Sequence, residues 1–178
     1  SVVWSGARPI EWLTDNTPID NNWCTIHATH MTTEEAVTLA ATGAVVGLCP
    51  TTEANLGDGL FPFEDFTSAG GTWGVGTDSH VSVSPIAELR LLEYGQRIVR
   101  RERNIAAGVD AKSTGRALLE NAWAGGSKAS GRSAGSLEVG QRADIVVLNE
   151  NHPALVGRSD DEIFDSWVFS GEQTPVQD

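Results

Sequence analysis

Four side chains in this sequence have the types and spacing for metal-assisted or acid–base chemistry: His27, His30, Asp78 and His80. His27 ends a short apolar run, Trp23-Cys24-Thr25-Ile26, and His30 follows three residues later in "CTIHATHM". Asp78 and His80 close a second run, "TWGVGTDSH". An imidazole and a carboxylate at neighbouring strand ends can share one divalent ion, commonly zinc, and the carboxylate can also take a proton from water. Plainer roles exist for each. A strand-end aspartate can cap the helix that follows, and a buried histidine can simply be hydrogen-bonded. The HxxH pair is a weak motif here, because it spans a strand end and a loop, where the two side chains diverge.

The elements that must position these residues alternate. Residues 2–13 read as a helix ending before the turn "TDNTPIDNN", and 23–27 read as a buried strand. Thr32 and Glu35 form a capping box, whose hydroxyl and carboxylate satisfy the first free N–H groups of a helix. That helix, "TEEAVTLAATG", stops at Gly43. The valine-rich run 44–50 suits a buried parallel strand. A long loop over 51–65 leads to a short helix and a third strand at 72–78. Ser84-Pro85 opens a long helix, since proline at the first helical position lacks only an N–H that has no partner there. Ile86, Leu89, Leu92 and Val99 share one face of it. After the Gly/Ser/Lys stretch 124–136 the texture changes: "LEVGQRADIVVLN" reads as short strands turning at Gly140, and "DDEIFDSWVFSG" as a brief helix with one more strand.

The strand ends near 27, 49 and 78 lie 22 and 29 residues apart. A (β/α)8 barrel averages about 31 residues per unit. Such alternation argues for an α/β fold with a parallel sheet. An open doubly wound sheet fits the same pattern.

Composition narrows the classes of function. The chain has 178 residues, 40% of them hydrophobic, enough for one cored domain. Twelve basic against twenty-four acidic residues give a net charge of −12. Such a surface repels phosphate backbones, so nucleic acid is not an expected partner. Cys24 and Cys49 lie in apolar runs without a CxxC pair and read as reduced core residues of a cytoplasmic protein. No run approaches the ~20 apolar residues of a membrane helix. The chain opens at Ser1 with what looks like the middle of a helix, which leads us to expect part of a longer protein.

Other motifs are weaker. "GGTWGVGTDS" does not meet GxGxxG, and no GxxxxGK[ST] occurs. "RIVRRER" holds four of the twelve basic residues on a predicted helix and reads as a solvated face. Cys24 beside the histidines suggests a Cys–His nucleophile, but strand alternation turns it away from His27, and core packing is the expected role.

The stretches "WCTIHATHMTTEEAVTLAATGAVVGLCPTTEANLGDGLFP" and "GVGTDSHVSVSPIAELRLLEYGQRI" resemble the formimidoylglutamate deiminases, a family of the metal-dependent amidohydrolase superfamily. The tail "LEVGQRADIVVLN" is similar to a segment common across that superfamily. The resemblance implies a TIM-type barrel with a small β-sandwich built from both chain ends. This chain would supply about the last three βα units within residues 1–124 and a sandwich segment within 125–178. It also implies one divalent metal, usually zinc. The ligands would be an HxH pair, a further histidine and a strand-eight aspartate. Asp78 matches that aspartate. His27 matches the histidine after strand six, which meets the attacked centre or moves a proton rather than holding the metal. His30 and His80 would be loop residues or groups lying behind the ligands. The implied reaction is hydrolysis of N-formimino-L-glutamate to N-formyl-L-glutamate and ammonia, a step of histidine breakdown, in a homodimer acting on a small molecule.

Neither HxH nor the HxxE of strand five occurs in these residues. One implied ligand of four is therefore present, and we expect the chain alone to bind zinc weakly at most and to be inactive. Two other readings stay open: part of a cytosine- or guanine-type aminohydrolase, or a non-catalytic α/β piece whose strand-end polar groups serve capping and packing.

Overall fold

The computed structural model describes residues 2–108, 112–171 and 173–177. Its centre is a parallel sheet of three strands, β1 (Cys24–Ile26), β2 (Val45–Leu48) and β3 (Thr72–Val75), in the order β1-β2-β3. The register aligns Cys24 with Val45 and Val45 with Thr72, so all three strands end together. Val46, Leu48 and Trp73 enter the core, where they meet Leu39, Phe61, Phe66, Leu89, Leu118 and Val168. Among the described residues, β1 and β3 each keep one side unpaired by another strand.

Helices link the strands, as the alternation predicts. Helices α1 (Val2–Ser5) and α2 (Pro9–Asn16) precede β1, and between β1 and β2 lies α3 (Thr33–Ala41), opened by the Thr32–Glu35 capping box. The Thr32 hydroxyl accepts from Glu35 N–H at 3.2 Å, and Glu35 Oε2 accepts from Thr32 N–H at 2.6 Å. After β3 comes α6 (Pro85–Arg100), with Ser84 Oγ accepting from Ala87 N–H. Leu89 and Leu92 are buried on it as expected, but Val99 is 64% exposed because the last turn runs past the core.

Several expectations need correction. The expected helix over 2–13 is two helices, α1 (Val2–Ser5) and α2 (Pro9–Asn16), separated at Gly6 with its positive φ of 73°. Helix α2 continues past Leu13 to Asn16, with Thr14 Oγ1 and Asn16 Nδ2 donating back to helix carbonyls. The expected loop over 51–65 contains α4 (Pro50–Leu56) and the start of α5 (Phe63–Ser68). Helix α4 escapes a hydrophobic-periodicity reading because its buried groups include Thr52 and Glu53. Arg97, expected on a solvated face, instead pairs with buried Glu93 at 2.6 Å and lies over the ring of Phe169.

The C-terminal third differs most. The glycine-rich stretch from 124 is helical as far as Ser130, inside α7 (Thr114–Ser130), which ends at left-handed Gly131. Helix α8 (Asp161–Phe169) forms where expected. The expected strands within 137–149 do not form among the described residues; a single antiparallel bridge joins Leu148 to Val176. Leu137, Val139 and Ile145 are exposed there, and strands without an apolar partner surface are not stable in water. Among the described residues no helix is long and apolar enough to cross a membrane.

Candidate functional site

Parallel register brings the carboxyl ends of the three strands to one edge, and three loops start there. His27 leaves β1 with its N–H donating to Gly47 O at 2.9 Å, then turns at a positive φ of 67°. Asp78 follows β3 with a φ of 44°. For a side chain larger than glycine, left-handed backbone is uncommon and is held by its surroundings. The predicted pair, separated by 51 positions in sequence, thus meets: His27 Nε2 lies 3.7 Å from Asp78 Oδ2. Both are partly open to solvent, at 34% and 44% of their side-chain surface.

Beneath them sits a polar layer supplied by β2 and α4. Cys49, at the end of β2, brings its Sγ into a group with one ligand atom each of His27 and Asp78, all within 4.8 Å of one another. Glu53, four residues on, is almost fully buried. Its Oε1 accepts from Cys49 N–H at 2.8 Å and lies 3.2 Å from His27 Nδ1. Burial pushes the Glu53 carboxyl up, while the Cys49 N–H and His27 pull it part of the way back. The Cys49 thiol is pushed up to about 11, first by burial and then by the negative Glu53, Asp78 and Glu88.

The loops are tied behind this layer. Thr52 Oγ1 lies 2.9 Å from Ser79 Oγ, which joins α4 to the turn carrying Asp78. Thr51 donates from its N–H at 2.8 Å and from its hydroxyl at 2.5 Å to buried Glu88 of α6. The two strand-end loops are therefore fixed to each other and to the long helix.

His30 and His80 do not join the cluster. His30 is exposed, and its carbonyl accepts from the Arg8 guanidinium. His80 is exposed in a turn closed by its N–H on Thr77 O, also at positive φ. Cys24 is half-buried in β1 and outside the group. Sequence reasoning took Cys49 for a core residue and passed over Glu53. A usable signal was present: in "LCPTTEANLGDG" a carboxylate falls on the first turn of a helix that a strand end and proline introduce.

The sequence profile of the Amidohydrolase family matches residues 11–174. The chain is 49% identical over 176 residues to a formimidoylglutamate deiminase of Pseudomonas aeruginosa, covering 99% of this chain and 39% of that one. It is 32% identical over 150 residues to a 5-methylthioadenosine/S-adenosylhomocysteine deaminase of Halobacterium salinarum, covering 84% of this chain and 34% of the relative. Among solved structures, an amidohydrolase from Brucella melitensis superposes with a TM-score of 0.88 at 45% identity, over 95% of this chain and 37% of that one. A zinc-bound adenosine deaminase from Xanthomonas campestris shares the fold, with a TM-score of 0.82 at 23% identity. The chain thus spans well under half the length of the relatives it matches.

Proposed function

We propose that this chain, which belongs to the amidohydrolase family, supplies one part of an active site that hydrolyses N-formimino-L-glutamate to N-formyl-L-glutamate and ammonia. The observation that carries this reading is the 49% identity to the Pseudomonas deiminase over a span that takes in His27 and Asp78. In this reading the three βα units are the last three of a (β/α)8 barrel, and the C-terminal segment belongs to a β-sandwich completed by other sequence. The whole enzyme would be a cytoplasmic homodimer working in histidine degradation.

The donor set fits a divalent metal. The half-exposed Asp78 has carboxylate surface free for an ion, with His27 Nε2 and the Cys49 thiol beside it. Asp78 would be this chain's ligand, with the other ligands coming from sequence outside these residues. A bound zinc ion lowers the pKa of water toward neutrality.

The protein groups then divide the work. Asp78 takes the proton of the attacking water as oxygen adds to the formimino carbon. That carbon becomes tetrahedral as its double-bond electrons pass to the terminal nitrogen, and His27 hydrogen-bonds that centre or moves its proton. Asp78 returns the water proton to the terminal nitrogen and relays to it the proton left on the added hydroxyl as the C–N bond breaks, so ammonia leaves with both protons of the water and the formyl carbonyl stays on the glutamate nitrogen. The partial exposure of both residues leaves them accessible to a small substrate.

The test is ammonia release by the full-length protein on N-formimino-L-glutamate, compared with 5-methylthioadenosine, cytosine and guanine. Turnover of the formimino substrate alone supports the reading. Preference for the nucleoside would favour the second reading, which the identity to the Halobacterium deaminase supports. The isolated 178-residue chain is expected to release no ammonia, and tight stoichiometric zinc on it would contradict the proposal.

A further inference from the structure

We propose that Glu53 is a positioning residue for His27: it takes the hydrogen bond of Nδ1–H and so turns the Nε2 lone pair toward the reacting centre beside Asp78. The inference rests on the functional reading above for its kinetic consequence, and on geometry alone for its structural one.

A buried carboxylate is costly unless its oxygens find donors. Glu53 is 4% exposed, and Oε1 has two neighbours. One is the Cys49 N–H at 2.8 Å, a donor fixed by the end of β2. The other is His27 Nδ1 at 3.2 Å. The backbone bond keeps the carboxylate from swinging away, so the imidazole edge facing it is set by the strand end itself. An ionised carboxylate only accepts, which requires the proton on Nδ1. In the neutral ring the opposite edge then carries the lone pair, and that edge is the one 3.7 Å from Asp78 Oδ2.

The left-handed backbone of His27 supports the same assignment. At a φ of 67° the residue stands in a conformation that needs external support, and a hydrogen bond to a buried, anchored acceptor provides it. Closing the first turn of α4 would require only the contact to Cys49 N–H. The approach of His27 to the same oxygen is additional to that helix-closing contact.

The test uses full-length, metal-loaded protein with 15N-labelled histidine, His27 being assigned by its loss in His27→Asn. Wild type is expected to show the Nδ1–H tautomer, and Glu53→Gln to shift His27 toward Nε2–H or a mixture. In the same variant kcat should fall about tenfold or more with KM within about twofold. Glu53→Asp, which keeps the acceptor charge, should recover part of the loss. A wild-type His27 protonated on Nε2 overturns the proposal, even if Glu53→Gln does not fold. So does a folded Glu53→Gln with kcat within about twofold of wild type. Absence of deiminase activity in wild type would sink the functional reading instead, and the tautomer measurement would still decide the role of Glu53.

Discussion

Two places in this molecule bring separate elements together, and they do so for opposite ends. At the carboxyl edge of the sheet, the loops after β1 and β3 adopt left-handed backbone at His27 and Asp78, above a buried carboxylate. Where α7 crosses β3, no titratable group is involved. Gly125 lies against the Trp73 carbonyl so closely that a Cβ there would overlap it, and a Cβ on Gly74 would stand 3.0 Å from the backbone nitrogen of Gly126. The first region bears polar groups that are expensive to bury and strained to hold. The second carries glycines where backbones meet, so that a helix can brace the strand that leads to Asp78. Chemistry and scaffold are thus separable, and substitutions should affect one without the other.

The sharpest break of that separation is Asp78→Asn. Asparagine tolerates the left-handed backbone, so the melting temperature of the full-length protein should hardly move. Turnover of the formimino substrate should fall by about 10³ or more, on the order of 4 kcal/mol. Full activity in this variant would remove Asp78 from the mechanism.

Gly125→Ala probes the other region. Its added methyl meets a backbone carbonyl that cannot step aside, so the expected loss is about 3 kcal/mol in chemical denaturation. Kinetic constants per folded molecule should stay near wild type. A large drop in kcat at full folding would show that the brace and the site are coupled.

Smaller effects belong to the frame common to both. Thr32→Ala removes the hydroxyl cap of α3 and should cost about 1 kcal/mol. Burial acts to raise the Glu35 carboxyl, but Thr32 N–H, the Arg8 guanidinium and Glu11 N–H outweigh it and hold it below the usual carboxylate range. Its contribution is therefore present above the ordinary carboxylate pKa and lost as pH falls through the depressed one. The stability gap between wild type and Glu35→Gln should accordingly be full near neutrality and close in acid, measured by denaturation across pH.

The smallest effect is a reactivity. With its pKa pushed up to about 11 and only 5% exposed, Cys49 should resist alkylation at pH 8 until the protein unfolds. Rapid labelling of the folded protein would mean that the polar layer beneath His27 is open.

Legibility in the sequence follows the kind of force involved. The Thr32–Glu35 box, Pro85 at the start of α6 and the valine-rich β2 are local signals, and each element appears where it was expected. Helix α4 was hidden because the groups it buries are polar, and periodicity reports only apolar burial. Helix α7 was hidden because glycine reads as a breaker unless a close backbone approach demands it, and that demand comes from β3. The apolar residues within 137–149 read as strands, yet stand exposed without a partner surface among the described residues.

By itself the sequence determined which strand ends would carry a histidine and an aspartate: both close apolar runs and are visible without any partner. Which of its polar residues converge was decided only by the tertiary structure. Parallel pairing of β1, β2 and β3 brings His27 and Asp78 within 3.7 Å, while His30 and His80 turn outward from neighbouring positions. The same pairing sets Glu53 behind His27, because the ends of β1 and β2 lie side by side. Neighbours within a strand or turn are specified by local backbone geometry. Contacts between strand ends follow from register, which forms only when the apolar faces have packed.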